Sequence, residues 1–379
     1  MIRKITNQAL PYGWGSRTLI PDYFGISATG SPMAEIWFGT HPGSMTSDLE
    51  QAERSVLDLR DGKPLSFLLK ILAADSALSI QVHPSKARAE AGFARENAAG
   101  ISLGAAHRNY KDDNHKPEMI VALTDFQALA GFKTEQQIRE LLEDIRSYPA
   151  APELHEAAAL WSKLLDESLE SLIAHLLTNR GEFGRSGVAL AALAEFDGRF
   201  ELAAKLEKIY PGDPGILVAL LMNQLSLSAG EALFLPAGIV HAYLSGLGIE
   251  IMASSDNVLR GGLTPKRIDV AELLDVVSFE GGPIDLVRQQ KVAEGLIEFK
   301  TPVDDFVLYR VEPSATHLLA DVSLGNAAIA ICTAGEVAIS NSLGERQVLA
   351  RGEAAYISAD ARLTTFAGAG TLFVGVGRD

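Results

Sequence analysis

The feature that most constrains the fold is a periodicity that changes once and then changes back. From Thr134 to about Pro214, apolar residues recur at helical spacing, while short β-rich segments stand on either side. That order predicts β-structure with a helical domain inserted in it or appended to it. Ahead of the change, "AEIWFGTHPG", "SFLLKILAA", "LSIQVHPS", "HKPEMIVAL" and "FQALAGF" are rich in β-formers and punctuated by Gly and Pro. Thr134 and Gln137 then form a capping-box pair before Ile138, Leu141, Leu142 and Ile145. "WSKLLDESLESLIAHLL" continues with Leu165, Leu169, Leu172 and Leu176 on one stripe, and "PGDPG" ends the block. Strand signals return in "LSLSAGEALFLPAGIVHAYLSGLGIEIMASS". A short helix capped by Asp269, with Glu272 in the capping-box position, follows, and from about Phe279 the chain is again β in character.

At 379 residues the chain exceeds one ordinary hydrophobic core. Four regions are expected: 1–133 and 215–278 as two parts of one barrel, 134–214 as a helical domain, and 279–379 as a second barrel. A weak repeat supports the duplication. "GEALFLPAGIVHAYLSG" from Gly230 aligns without gaps on "GEAAYISADARLTTFAG" from Gly352, with His241 falling on Leu363. A metal site in the first copy would therefore be empty in the second.

The net charge of −15 argues against nucleic-acid or membrane-surface partners, and requires any anionic ligand to be met by a local basic cluster. With Cys332 as the one cysteine, an intrachain disulfide and a Cys-based zinc site are excluded. No apolar leader or membrane-length stretch is evident, so a cytoplasmic protein is expected.

Alternation in "LSIQVHPS" sets Leu78, Ile80 and Val82 on one face of a strand and Ser79, Gln81 and His83 on the other. Three of the eight histidines, His83, His115 and His241, stand among other functional residue types. His155 and His175 read as solvated or helix-packed residues of the helical segment, and His41, His107 and His317 as ordinary loop residues. In "NHKPEM", Lys116 and Glu118 share parity, and in "LPAGIVHAYLSG", His241 and Tyr243 share a face. Gln81, His83, Glu118 and His241 together can form an N/O metal site for zinc, with Fe(II) as the chemical rival. A neutral Gln leaves such a metal electropositive, which favours Lewis-acid work. Lys70, Lys116, Arg260 and Lys266 supply the basic cluster, around a Gly-Gly turn that lets backbone approach a ligand.

"QVHP", "DDNHKPEM", "PAGIVHAYLSG" and "SSDNVLRGGLTPKRID", in that order and spacing, resemble the signatures of the type I phosphomannose isomerases. "YGWGS" and "EIWFGTHPGS" also look like family stretches, and the resemblance runs from about residue 11 to about residue 278. It implies cupin-type (jelly-roll) β-barrels, duplicated, with an α-helical domain and a metal-free second barrel. It implies one zinc ion per chain on Gln81, His83, Glu118 and His241, a catalytic arginine at Arg260, and substrate contacts at Ser79, Lys116, Tyr243, Glu250 and Lys266. Lys70 and Asp256 are expected in the same pocket. Ser85 departs from the Asp that family members often carry after "HP".

The implied reaction interconverts mannose 6-phosphate and fructose 6-phosphate through a cis-enediol(ate), with a sugar phosphate as the partner of a monomer. Ser79 and Lys266, with Lys70, are expected at the phosphate, and the base is Lys116, Glu250 or His115. A sugar-binding protein without catalysis and an isomerase of unphosphorylated aldoses are the rival readings.

Overall fold

The helical block leaves and rejoins the β-structure at one place. Strands Phe126–Phe132 and Met222–Leu227 pair antiparallel, from Phe126 opposite Leu227 to Phe132 opposite Met222. The helices between them replace what would otherwise be a hairpin turn. The structure is a computed structural model that describes residues 1–51, 53–149, 151–361 and 363–378.

The first helix, Glu135–Ser147, has the expected capping box: Thr134 accepts from the Gln137 N–H while the Gln137 side chain accepts from the Thr134 N–H. Its Ile138, Leu142 and Ile145 are buried. The second stripe is not one helix. Ser168 is extended (φ −174°, ψ 160°) and divides His155–Glu167 from Leu169–Thr178, capping the latter by accepting from the Ser171 N–H. A serine that binds nearby backbone competes with helix propagation and starts a new helix instead. The block also runs past Pro214, because "GILVALL" forms a buried helix, Gly215–Leu221. An apolar run without periodicity does not distinguish helix from strand.

Among the described residues, the rest is two antiparallel ten-stranded sheets with a few helices beside them, the longest Lys86–Ala98. In the first, the path runs through Ala232–Leu235, Glu118–Ala122, His241–Ala253, Phe67–Ala74, Glu35–Phe38 and Ala9–Leu10, with Ile80–Val82 and Leu259–Gly262 branching from it. Ile80 and Val82 pack into the helical core with Leu142, Leu217 and Leu259. Ser79 and Gln81 face a cavity instead. Leu78 breaks the alternation, since it too lines that cavity.

The second sheet holds the C-terminal strands and, unexpectedly, the start of the chain. Ile2–Thr6 pairs with Ala354–Ile357 on one side and Ser47–Asp48 on the other. The expected grouping of 1–133 into one barrel therefore departs from the pairing at these strands, which cover what would be an exposed sheet edge. The internal repeat is visible in the fold. Strand Ala232–Leu235 corresponds to Ala354–Ile357, and strands beginning at His241 and Leu363 follow their respective turns. Each long strand carries, at the same offset, a glycine of nearly equal positive φ, 124° at Gly246 and 121° at Gly368.

Phe67, Leu69 and Ile251 of the first sheet meet Phe299, Phe306 and Phe373 of the second in one shared core. At ~1.5–3 kcal/mol per fully buried side chain, packing holds the sheets together far more strongly than a partly exposed ion pair at ~0–1 kcal/mol.

Candidate metal centre and active site

Strand register assembles the site in rows. Gln81 lies opposite His241 on one neighbouring strand and opposite Arg260 on the other. Opposed residues of antiparallel strands present side chains on the same face, so one row carries an imidazole, a carboxamide and a guanidinium. In a second row Lys70 lies opposite Glu250 and, on its other side, Trp37.

At the His241 end of the first row is a donor cluster. Ligating atoms of His83, Glu118 and His241, all buried, lie within 4.8 Å of one another. His83 Nδ1 donates to the Asn257 carbonyl at 2.7 Å and His241 Nδ1 to the Ile239 carbonyl at 3.0 Å. Those bonds fix each tautomer and leave both Nε2 lone pairs free. Each Nε2 stands 3.4 Å from a different oxygen of Glu118, and the buried His83 Nε2 has no hydrogen-bond partner. An orphaned buried nitrogen is costly unless another ligand meets it. Burial pushes the His83 imidazole down to about 4, keeping it neutral as a ligand must be. Burial alone would raise the Glu118 carboxyl, but Lys116 and the two imidazoles outweigh it and hold it well below the ordinary range. The set fits a divalent cation. Gln81 lines the adjoining cavity, its amide nitrogen 3.4 Å from Ser79 Oγ.

That cavity, about 770 Å³, is also walled by Lys116, Asp256, Arg260 and Lys266. An inner pocket of about 60 Å³ shares Ser79, Gln81 and Lys116 with it, and reaches Glu118, His241, Tyr243 and Glu250. Arg260 and Lys266 have no carboxylate partner among the described residues. Burial lowers the pKa of Arg260, while the charge of Arg260, then burial, lowers that of Lys266. Two unneutralised cations on one wall form a site for an anion.

Other expected members sit differently. Lys70 is consumed within the protein: Nζ lies 2.9 Å from Glu250 and 3.8 Å from Glu35, and 5.1 Å from the centre of the Trp37 ring. It nevertheless lines both cavities, as expected, with its charge already met from within the protein. Burial opposes charge on it, but Glu250 and Glu35 hold it protonated. Burial raises the Glu250 carboxyl, with Lys70 partly offsetting, and Tyr243 donates to its other oxygen at 2.9 Å. His115 does not line either cavity; Nε2 is 2.9 Å and 3.0 Å from the two oxygens of Asp305. The Gly-Gly turn also has another use. A Cβ on Gly262 would stand 2.6 Å from Gly215 Cα, so the glycine admits the neighbouring helix rather than a ligand.

Several residues escaped the sequence reading. Glu35 and Trp37 complete the Lys70 cluster, with Trp37 Nε1 donating to Glu35 at 2.8 Å. His41 accepts the Gly43 N–H on Nδ1, so Nε2 carries the proton and donates to Asp256 at 2.9 Å. That hydrogen bond is the main reason the Asp256 carboxyl is lowered. Asp213, read only as part of a helix-ending turn, accepts from the Leu263 and Thr264 N–H groups and fixes the loop that presents Lys266. No local pattern marks these residues, because the contacts that tie them to the site, with Lys70, Asp256 and the Leu263–Thr264 backbone, are distant in sequence.

Residues 2–135 match the family model for the type I phosphomannose isomerase catalytic domain. The mannose-6-phosphate isomerase of Escherichia coli (strain K12) is 39% identical over 398 residues, covering 98% of both chains. That of Homo sapiens is 32% identical over 372 residues, covering 88% of this chain and 85% of its own. Among solved structures, the Salmonella typhimurium mannose 6-phosphate isomerase bound to fructose 6-phosphate and zinc is similar across 100% of both chains, with a TM-score of 0.90 and 38% identity. A zinc-bound holo mannose 6-phosphate isomerase also covers 100% of both chains, with a TM-score of 0.90 and 37% identity. Likeness of sequence and of fold thus extends over the whole length and includes the strands that carry the donor cluster, so the chain belongs to the type I phosphomannose isomerase family.

Proposed function

We propose that the protein is a zinc-dependent aldose–ketose isomerase that interconverts D-mannose 6-phosphate and D-fructose 6-phosphate. The observation that carries the reading is the meeting, around one cavity, of the His83–Glu118–His241 cluster with the unpaired cations Arg260 and Lys266. One suits a metal and the other a phosphate, and a sugar phosphate joins them. Both sheets are read as cupin-type barrels, with residues 134–214 as the helical domain and 279–379 as the metal-free barrel.

His83, Glu118 and His241, with Gln81, would hold a zinc ion, which when bound would supply Lewis-acid chemistry. The chain's own groups do the rest. Lys266 and Ser79 hold the phosphate away from the reacting carbons, converting binding into orientation. Arg260 stands by the oxygen on which charge develops as C1 and C2 pass through the cis-enediol(ate). Lys116 is the group that moves the proton at carbon: it lines both the main cavity and the inner pocket, with one partner for its Nζ among the described residues, Glu118 at 2.9 Å. Both Glu250 oxygens are already occupied, by Lys70 and by Tyr243.

Turnover of mannose 6-phosphate compared with unphosphorylated mannose tests this reading. Conversion of the phosphate ester alone supports it. Equal use of mannose, or use of neither sugar, would replace it with the aldose or sugar-binding alternative.

A further inference from the structure

The second sheet carries no metal-type cluster among the described residues, and nothing so far gives it a part in the reaction. One of its loops nevertheless reaches the segment that presents Lys116. Asp305 ends the loop before strand Phe306–Val311, and both its carboxylate oxygens receive His115 Nε2, at 2.9 Å and 3.0 Å. Its backbone carbonyl accepts from Ser66 Oγ at 2.9 Å, just ahead of the strand that carries Lys70. Phe306, the next residue, is fully buried in the core shared by the two sheets. Asp305 is thus a fixed point rather than a mobile surface carboxylate.

The segment it grips is also held from other sides: the Pro117 carbonyl accepts from the Ala253 N–H at 3.1 Å, and Lys116 Nζ itself pairs with Glu118 at 2.9 Å. The Asn114 carbonyl accepts from Asn257 Nδ2 at 2.8 Å and from Ser255 Oγ at 3.2 Å. Lys116 and Glu118 then face the cavity and the metal cluster, while His115, of opposite parity, faces outward to Asp305. In extended chain, anchoring one residue from outside fixes where its neighbour points inside. The pair is partly exposed, with side chains 26% and 18% accessible, so it adds little to the packing that joins the sheets. What it can change is position.

We propose that Asp305, acting through His115, is a positioning residue for Lys116, and that the C-terminal sheet contributes to the reaction in this way. The inference rests on the isomerase reading above and assigns no chemistry to His115 itself. A displacement of 1 Å at a reacting group can cost ~10²-fold in rate, so a loosened anchor is worth about tenfold.

The experiment is a double-mutant cycle on the zinc-loaded enzyme with Asp305→Asn, His115→Gln and the double variant, with Asp304→Asn as a neighbouring control. Among the described residues, Asp304 pairs with Arg378 on the surface. The expected result is a kcat about tenfold lower in each single variant, with KM within about twofold, zinc content unchanged and the double variant no worse than either single. Asp305→Glu, which keeps the carboxylate, is expected to recover part of the loss. An active wild type with an unaffected Asp305→Asn would overturn the inference alone. So would multiplying losses, a His115→Gln loss far exceeding that of Asp305→Asn, or losses that track a lowered Tm. A wild type without isomerase activity would overturn the underlying reading and this inference with it.

Discussion

Arg260 stands opposite Gln81 on adjacent antiparallel strands, and no described carboxylate neutralises it. A half-buried guanidinium with no partner is held ready for negative charge that arrives with the substrate or develops during reaction. Replacing it with Ala should lower kcat by ~10²–10³-fold, the scale for loss of one transition-state donor. Zinc content should be unchanged, because Arg260 is not part of the donor cluster. Arg260→Lys should recover little, since a point charge does not reproduce the planar fork. Steady-state kinetics beside metal analysis of the same preparations separates these outcomes.

The donor cluster makes its own prediction. His241→Ala or Glu118→Gln leaves His83 Nε2 with fewer companions in a buried site. Both variants should lose stoichiometric zinc after dialysis and lose turnover in proportion. Retention of one zinc per chain in either would mean that the metal sits elsewhere.

Lys70 and Lys266 were grouped together in the sequence but should fail differently. Lys266→Ala should raise KM for the sugar phosphate by at least tenfold and leave Tm nearly unchanged. Lys70→Ala strands Glu250, and Glu35 beside it, in a buried site without a countercharge. Breaking such a pair costs ~3–5 kcal/mol, so denaturant unfolding should show the larger effect.

Lys133 provides a pH test away from the cavity. Its ammonium reaches the Leu220 carbonyl, and burial pushes its pKa down to about 8. The unfolded chain, with an ordinary lysine pKa near ~10.4, binds more protons between pH ~8 and ~10.4, so wild-type stability gains a contribution as pH rises through that window. Below pH ~8 the burial cost is fully present. Lys133→Met should therefore stabilise the protein at pH 7, by ~1–2 kcal/mol once the lost hydrogen bond is subtracted. The advantage should shrink as pH approaches 10. A difference that does not change with pH would show that the lysine carries no such cost.

Much of the site was legible because strand parity transmits directly to side-chain direction. Ser79, Gln81 and His83 alternate with Ile80 and Val82, and the structure sends the two sets to the cavity side and to the helical core. The repeat between Gly230 and Gly352 was legible too, because turn glycines and strand lengths recur at one offset. What stayed hidden depends on partners remote in sequence. Lys70 in an apolar strand reads equally well as a cavity residue or as half of a buried pair, and only the register with Glu250 decides. His41, Glu35 and Asp213 gain their roles from contacts across the fold. Ile2–Thr6 reads as an ordinary first strand, and nothing local says that it closes the C-terminal sheet.

The most direct test of the central claim is isomerisation of mannose 6-phosphate to fructose 6-phosphate before chelation, after chelation, and after zinc is restored. Activity that disappears with the metal and returns with about one zinc per chain is the expected result. A zinc-loaded protein that does not turn over mannose 6-phosphate, or a metal-free protein that turns it over unchanged, would contradict it.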